Sequence, residues 1–372
     1  MTPNRVWLRR LSCRDFRNFE RLDLDIPEGG LAVIGDNGQG KTNLLESIYY
    51  MQVLRSSRGA RDQDLVRFGA KGFFVATSAS TDDVHEMSAG FETAGKKKRV
   101  SQDGSVAARL SEAFGSLPSV MFSPRDIQLI AGAPADRRRF VDLVLALSSR
   151  RYLTALQNYR AALTRRNAAL RDAARTGDDS AVSVWEPALA QHGATLLCER
   201  SKWVSDKRDE FARLTAAIGE HGVAKLSYTS TAAREADPVA ALSEAFERQR
   251  GHDIRRGITH SGPHRDDLMM TLDGRELRVF GSAGQQRTAA IALRMLEGET
   301  LRESRGVSPI LLLDDPFAEL DVHRSANILE LLRGAGLGQT ILVVPRETDI
   351  PPELLELERR EIRSGVVSEL GQ

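Results

Sequence analysis

Only two of the 372 residues are cysteine, Cys13 and Cys198, far apart and without metal-ligand neighbours. That excludes a disulfide framework, argues against a cysteine zinc site and fits a reducing compartment. Net charge is nearly absent as well. With 52 Lys and Arg against 51 Asp and Glu the balance is +1, so the whole-molecule field gives no general pull toward nucleic acid or an anionic membrane; such binding has to come from local patches. No apolar run approaches the roughly 20 residues needed to cross a bilayer, and Met1-Thr2-Pro3-Asn4-Arg5 leads into charged, alternating sequence rather than a signal-peptide core. The expected location is cytoplasmic, with no membrane partner. Internal repeats, low-complexity segments and any groove-reading recognition motif are also missing.

What is present is an ordinary globular composition, 41% hydrophobic and 28% charged, in a chain long enough for about two domains or one with an insertion. Its sharpest feature is Gly35-Asp36-Asn37-Gly38-Gln39-Gly40-Lys41-Thr42, a G-x-x-x-x-G-K-[ST] loop between the apolar run Leu31-Ala32-Val33-Ile34 and a helical pattern from Asn43 to Tyr50. The glycines let backbone N–H groups approach phosphate oxygens at a helix N-terminus, Lys41 adds a mobile cation, and the Thr42 hydroxyl is placed to ligand Mg²⁺. The expected ligands are ATP and Mg²⁺.

Short strand patterns surround this loop: Val6 to Leu8, Leu22 to Ile26, Phe73 to Ser80, His85 to Phe91 and Lys98 to Gln102. Together they predict a β-rich lobe on a parallel core. Within it, Lys96-Lys97-Lys98-Arg99 is either a phosphate contact, with Lys97 foremost, or a solvated turn. From Arg137 to about Arg175 there is no proline and little glycine, and Tyr152, Leu156, Tyr159, Leu163 and Leu170 recur at spacings of four and three, broken at Arg166; this predicts one long helix. After the Gly177-Asp178-Asp179-Ser180 break a second long helix is expected from about Val182 to Ile218, giving an antiparallel hairpin. Arg160, Arg165 and Arg166 lie on the basic first helix, which reads equally as a duplex-backbone contact or as a face paired with acids such as Glu186 on the second helix. Strands are expected again at Lys225 to Ser230, Leu268 to Leu272 and Glu276 to Phe280, then a helix from about Gln285 to Glu303. The resulting division is 1–134, 135–224 and 225–372.

The densest aliphatic run, Ile310 to Leu313, ends in Asp314-Asp315. A carboxylate at the end of a buried strand beside a P-loop holds Mg²⁺, and its neighbour polarises the attacking water; Asp314 takes the first role and Asp315 that of general base. About 270 residues separate Lys41 from Asp314, so the nucleotide core has to be assembled from two distant parts of the chain. Between them, Gly281-Ser282-Ala283-Gly284-Gln285 opens a helix, which reads as a second anion site or as an ordinary serine cap. His260 and His264 are four apart, but Gly262 and Pro263 between them disfavour a helical zinc pair and point to a structural role.

These motifs together resemble the split ATPase head of ABC-type and structural-maintenance-of-chromosomes (SMC) proteins, with Glu319-Leu320-Asp321 following the aspartate pair. Phe16-Arg17-Asn18-Phe19, Gly35 to Glu46, Arg137 to Asp142, Ser261 to Leu268 and Gly284-Gln285-Gln286-Arg287 are similar, more narrowly, to the RecF family of bacterial recombination mediators. The resemblance implies an α/β fold: a split P-loop ATPase head of mixed sheet plus β-rich lobe, with an inserted antiparallel helical hairpin. It also implies an ATP-dependent head-to-head homodimer in which Ser282, Gly284 and Gln285 of one copy cap the γ-phosphate held by Lys41 of the other and Asp321 crosses the interface. Implied partners are double-stranded DNA and single-strand/duplex junctions, with RecO and RecR, in loading RecA during DNA repair, replication and the SOS response; hydrolysis is slow, DNA-stimulated and acts as a release switch. Two departures stand out. Gly281 and Ala283 flank the signature serine where bulkier or polar residues are common, and Val344-Pro345-Arg346 offers no switch histidine. Gln128 is the candidate Mg²⁺-sensing glutamine. The alternative reading is a nucleotide-switched scaffold of SMC or ABC type that does not itself bind DNA.

Overall fold

The computed structural model describes residues 4–80, 84–230, 235–317, 320–334 and 338–370. The chain forms two compact units, one of residues 1–125 with 297–372 and one of residues 126–296. This grouping differs from the three-part division expected above by placing 126–134 and 225–296 with the helices. No helix among the described residues is long and apolar enough to cross a membrane.

In the first unit, a six-stranded sheet runs in the order Val366–Glu369, Glu358–Arg363, Gly30–Ile34, Thr340–Val344, Ile310–Asp314, Ser119–Phe122, parallel throughout except for the terminal hairpin. All five residues of Gly30–Ile34 are buried, as a strand covered on both faces must be, which is why it reads as an unbroken apolar run. The Ser119–Phe122 edge strand was not anticipated. A second, antiparallel sheet of six strands starts with Trp7–Phe16, Phe19–Asp25 and Gly72–Ser80 and forms the expected β-rich lobe. Trp7–Phe16 extends well beyond the predicted Val6 to Leu8. Its register shifts between Leu8 and Arg10, so the in/out alternation changes phase there and the arginines hide the strand.

The second unit corrects two expectations and adds a helix. The stretch from Arg137 to Arg175 is two helices, Pro134–Ser148 and Arg150–Thr176; Ser149 adopts an extended conformation and its hydroxyl accepts from the Tyr152 N–H at 3.2 Å as an N-cap. The predicted strand at Glu276 to Phe280 is a two-residue strand, Arg275–Glu276, followed by a helical turn, Leu277–Phe280. A further helix, Pro238–Arg256, packs on the hairpin; here a Cβ at Gly193 of the long helix Glu186–Ile218 would lie 3.0 Å from Leu242. The hairpin itself is antiparallel as expected, since Arg151 meets Glu199 near one end and Arg166 meets Glu186 near the other.

Ser261 to Leu268 and Arg137 to Asp142 are tied to each other and to the helices by buried polar bonds. Arg137 is 2% exposed and chelates Asp267 through Nε and Nη2 at 2.8 and 2.7 Å, Arg138 donates to the Asp266 carbonyl at 2.6 Å, and Arg200 pairs with Asp142 at 2.7 Å. His264 presents Nε2 to the Thr259 carbonyl at 3.0 Å, so Nε2 carries the proton and Nδ1 accepts from the Tyr159 hydroxyl at 2.6 Å. Burial, with Arg265 and Arg138 nearby, pushes its pKa down from 6.5 to about 4. A depressed folded pKa means stability that is present above the unfolded value and lost as pH falls through the folded one. Between about pH 6.5 and about pH 4 this unit is therefore expected to lose roughly 3 kcal/mol through His264. Urea unfolding at pH 7 and pH 4.5, compared for wild type and His264→Gln, checks this: an acid loss of equal size in both proteins assigns it to other groups.

Candidate nucleotide site

Because Gly30–Ile34 and Ile310–Asp314 are parallel and flank Thr340–Val344, their C-terminal ends share one edge of the sheet, where ligands of open α/β sheets bind. Gly35 to Gly40 follows the first strand and Lys41–Val53 is the helix after it. Gly40, at φ +117, packs so tightly that a Cβ would lie 2.5 Å from Asn18 Nδ2; only glycine fits there.

Lys41 is 8% exposed and its ammonium donates to the Gly35 and Asp36 carbonyls. Burial lowers its pKa, against the opposing pull of Asp314 and Asp315. The Thr42 hydroxyl donates to Asp314 Oδ2 at 3.0 Å and Oδ1 at 3.2 Å across 272 residues of sequence. Burial lifts the Asp314 pKa, opposed by the Thr42 hydrogen bond, and the Asp315 charge adds to the rise. A desolvated carboxylate beside a hydroxyl, with further negative charge close by, is a donor set suited to a hard divalent cation. Asp315 sits just past the strand at φ +44, and its N–H donates to the Val343 carbonyl at 3.0 Å.

Behind the loop is a network that the P-loop pattern alone does not announce. Glu46, fully buried on the P-loop helix, receives ion pairs from Arg17 and Arg58, and Arg58 also bonds Asn43. In the sequence its members Arg17 and Glu46 lie within the stretches Phe16 to Phe19 and Gly35 to Glu46, neither of which states this role.

The other predicted residues are placed as follows. Ser282 and Gln285, in the second unit, form a reciprocal cap: the Ser282 N–H donates to Gln285 Oε1 at 3.0 Å and the Gln285 N–H to Ser282 Oγ at 3.2 Å, opening the helix Ala283–Arg305. Ser282 is exposed and Gly284 half-buried. Gln128 is exposed at the start of a short helix in the same unit. Asp321 in the first unit is exposed and caps Val322–Gly334 by accepting from the Arg324 N–H at 2.9 Å, a bond that holds its carboxyl below the usual range. Glu319 lies outside the described residues.

For the basic residues the geometry is mixed. Arg160 is half exposed and bonds Asp142 at 3.1 Å, Arg165 lies 4.8 Å from the Trp185 ring, and Lys97 is exposed. Arg166 is a correction. Its side chain is 0% exposed, bonded to Asp253 at 2.7 Å, Glu186 at 3.0 Å and Thr259 at 2.8 Å, so it is an internal ion-pair centre and offers nothing to a phosphate backbone. The break it makes in the apolar stripe is a buried position filled by a charge. His260 also bonds Asp253, at 2.8 Å. His252, Asp253 and His260 bring ligand-type atoms within 4.8 Å of one another, though Asp253 already serves both Arg166 and His260.

Comparison with known proteins places the chain in a family. The RecF/RecN/SMC N terminal domain family matches residues 7–350. Curated relatives named DNA replication and repair protein RecF include those of Herpetosiphon aurantiacus, 32% identical over 97% of this chain and 99% of theirs, and of Frankia alni, 36% identical over 93% and 95%. A RecF recombination mediator solved with ATP and described within the RecFOR pathway superposes at a TM-score of 0.91, with 28% identity over 99% of this chain and 98% of that one. An SMC head bound to the C-terminal winged-helix domain of ScpA shares the fold at 0.55 and 15% identity over 97% of each chain. With the family match running through the P-loop, the helical insertion and the aspartate pair alike, the chain belongs to the RecF/RecN/SMC N-terminal domain family and groups there with the RecF DNA replication and repair proteins.

Proposed function

We propose that this chain is an ATP-dependent DNA-binding protein of recombinational repair that closes into a head-to-head homodimer on ATP and opens again on slow, DNA-stimulated hydrolysis. The observation that carries the reading is the Thr42–Asp314 pair, which joins the P-loop helix to the aspartate strand across 272 residues. The P-loop backbone and Lys41 hold the phosphates; Thr42 and Asp314 would hold Mg²⁺. The metal supplies charge neutralisation and orientation of the phosphates when bound. Asp315 accepts the proton of the attacking water. Ser282, Gly284 and Gln285 of a second copy cap the γ-phosphate, supported by the exposure of Ser282 at a helix N-terminus, and Asp321 crosses between copies. Duplex or junction DNA is held by Arg160, Arg165 and Lys97, and the complex acts with RecO and RecR in loading RecA.

The test is sedimentation of Asp315→Asn protein with and without ATP and duplex DNA, with Ser282→Arg as control. ATP should convert monomer to dimer, Ser282→Arg should block this, and DNA should join the dimer in a salt-sensitive manner that Arg160→Glu with Arg165→Glu weakens. ATP binding without dimers would end the two-copy site. Dimers indifferent to DNA would instead favour a nucleotide-switched scaffold, a reading to which the internal pairing of Arg166 already lends weight.

A further inference from the structure

The P-loop is held from outside by two segments distant in sequence. The Gln39 carbonyl accepts from Asn18 Nδ2 at 2.9 Å and from the Gly365 N–H at 2.9 Å, while Gln39 Oε1 accepts from the Ser364 N–H at 2.6 Å. Asn18 is fixed in turn, because its Oδ1 accepts from Asn43 Nδ2 at 2.7 Å on the P-loop helix. Asn18 occupies the two-residue turn between Trp7–Phe16 and Phe19–Asp25; Ser364 and Gly365 form the turn of the terminal hairpin Glu358–Arg363 and Val366–Glu369. The fit is close on every side. A Cβ on Gly365, at φ +81, would lie 2.7 Å from the Asn18 carbonyl, and one on Gly35 would lie 2.5 Å from the Ile362 carbonyl.

A carbonyl and the N–H that follows it belong to one rigid planar unit and, in a trans peptide, point in opposite directions. Holding the Gln39 carbonyl outward on two donors therefore turns the Gly40 N–H inward, to the side where a P-loop receives phosphate. Were that peptide free to flip, as glycine at position 40 allows, a carbonyl oxygen would face the phosphates and repel them. We propose that Asn18 and the Ser364-Gly365 turn are positioning elements of the nucleotide site, locking the Gln39–Gly40 peptide in its phosphate-receiving orientation and making the terminal hairpin part of that site. The inference rests on the ATP reading above and deepens it: the clamp acts on the phosphates common to ATP and ADP, and it takes no part in the chemical step.

The experiment measures affinity for fluorescent ATP and ADP analogues and the single-turnover hydrolysis rate at saturating ATP. The proteins are wild type, Asn18→Ala, Gln39→Met and Val100→Ala. Gln39→Met deletes only the side-chain acceptor for Ser364, while Val100→Ala thins the core of the β-rich lobe, where Val100 is 1% exposed, without touching the clamp. Asn18→Ala is expected to weaken ATP and ADP alike by about tenfold and Gln39→Met by about threefold, with the saturated rate preserved and Val100→Ala binding as wild type. Wild-type affinity in both clamp variants overturns the inference while leaving ATP binding in place, as does a fall in the saturated rate at unchanged affinity. A loss of affinity in Val100→Ala matching that of Asn18→Ala also overturns it, by reducing the effect to general loosening. If wild type binds neither nucleotide, the ATP reading falls and takes the clamp with it.

Discussion

Asp315→Asn is expected to lower ATP hydrolysis by about 10²–10⁴-fold, the usual contribution of a positioned general base, while ATP affinity stays within a few-fold of wild type. The substitution is clean for a backbone reason. Asp315 has φ +44, a left-handed conformation that Asn tolerates about as well as Asp and that other side chains adopt at a cost. Its N–H bond to the Val343 carbonyl is independent of the side chain, and Asp314 keeps its bond from Thr42. Asp315→Ala should lose the same activity and some stability besides. Rapid-quench hydrolysis with nucleotide-binding titrations reads both effects; Asp315→Asn protein that still turns over within threefold of wild type would remove Asp315 from the base role.

Arg166→Ala is expected to destabilise the helical unit by about 3–5 kcal/mol, the cost of stranding buried charges by removing their partner. Asp253 is 0% exposed and Glu186 nearly as buried. Arg250 still reaches Glu186 at 2.6 Å, and His260 still bonds Asp253, so the larger loss falls on the Asp253 side. Adding Asp253→Asn should recover part of it, because the stranded charge is then gone. Chemical unfolding followed by circular dichroism measures the change. A loss below about 1 kcal/mol would mean that water reaches Asp253 and solvates it. It follows that charge reversal at position 166 cannot test DNA binding, since misfolding and lost contact would look the same; Arg160, Arg165 and Lys97 carry that test.

Arg166 also shows where the sequence stops being readable. A lone arginine in a basic run looks like surface, and what buries it is an aspartate 87 residues further on, carried by a helix that did not register. That helix, Pro238–Arg256, does have local signs: Asp237 accepts from the Val239 and Ala240 N–H groups as an N-cap, Pro238 is at the first position and Gly257 closes the end in a left-handed conformation. Its apolar stripe fades after Phe246 because the inward position at 253 is a carboxylate serving Arg166. The break at Ser149 escaped for the opposite reason, since a serine between good helix formers can continue a helix as easily as cap the next. The P-loop strand, its helix and the aspartate strand were legible because each obeys a local rule: a doubly buried strand is continuously apolar, and a phosphate loop must be spelled with glycine, lysine and a hydroxyl. Their meeting was inferred from chemistry. The Asn18 clamp was not, because nothing about an asparagine in a tight turn says which carbonyl it will reach.

The central position of Gly30–Ile34 in its sheet bears on how the protein is made. Both neighbours of that strand, Thr340–Val344 and Glu358–Arg363, are translated about 300 residues after it. At about 5–20 residues per second, the strand leaves the ribosome some 15–60 s before either partner exists. Throughout that interval neither of its edges has its native partner, while the helical unit, a single contiguous segment, can complete itself. The nascent chain is thus a stretch for chaperones to hold, and refolding from denaturant should be slow for a sheet closed by such distant pairing. A circular permutant starting in a surface loop of the helical unit would synthesise the whole sheet without that long interruption, and its gain in soluble yield would measure what the natural order costs.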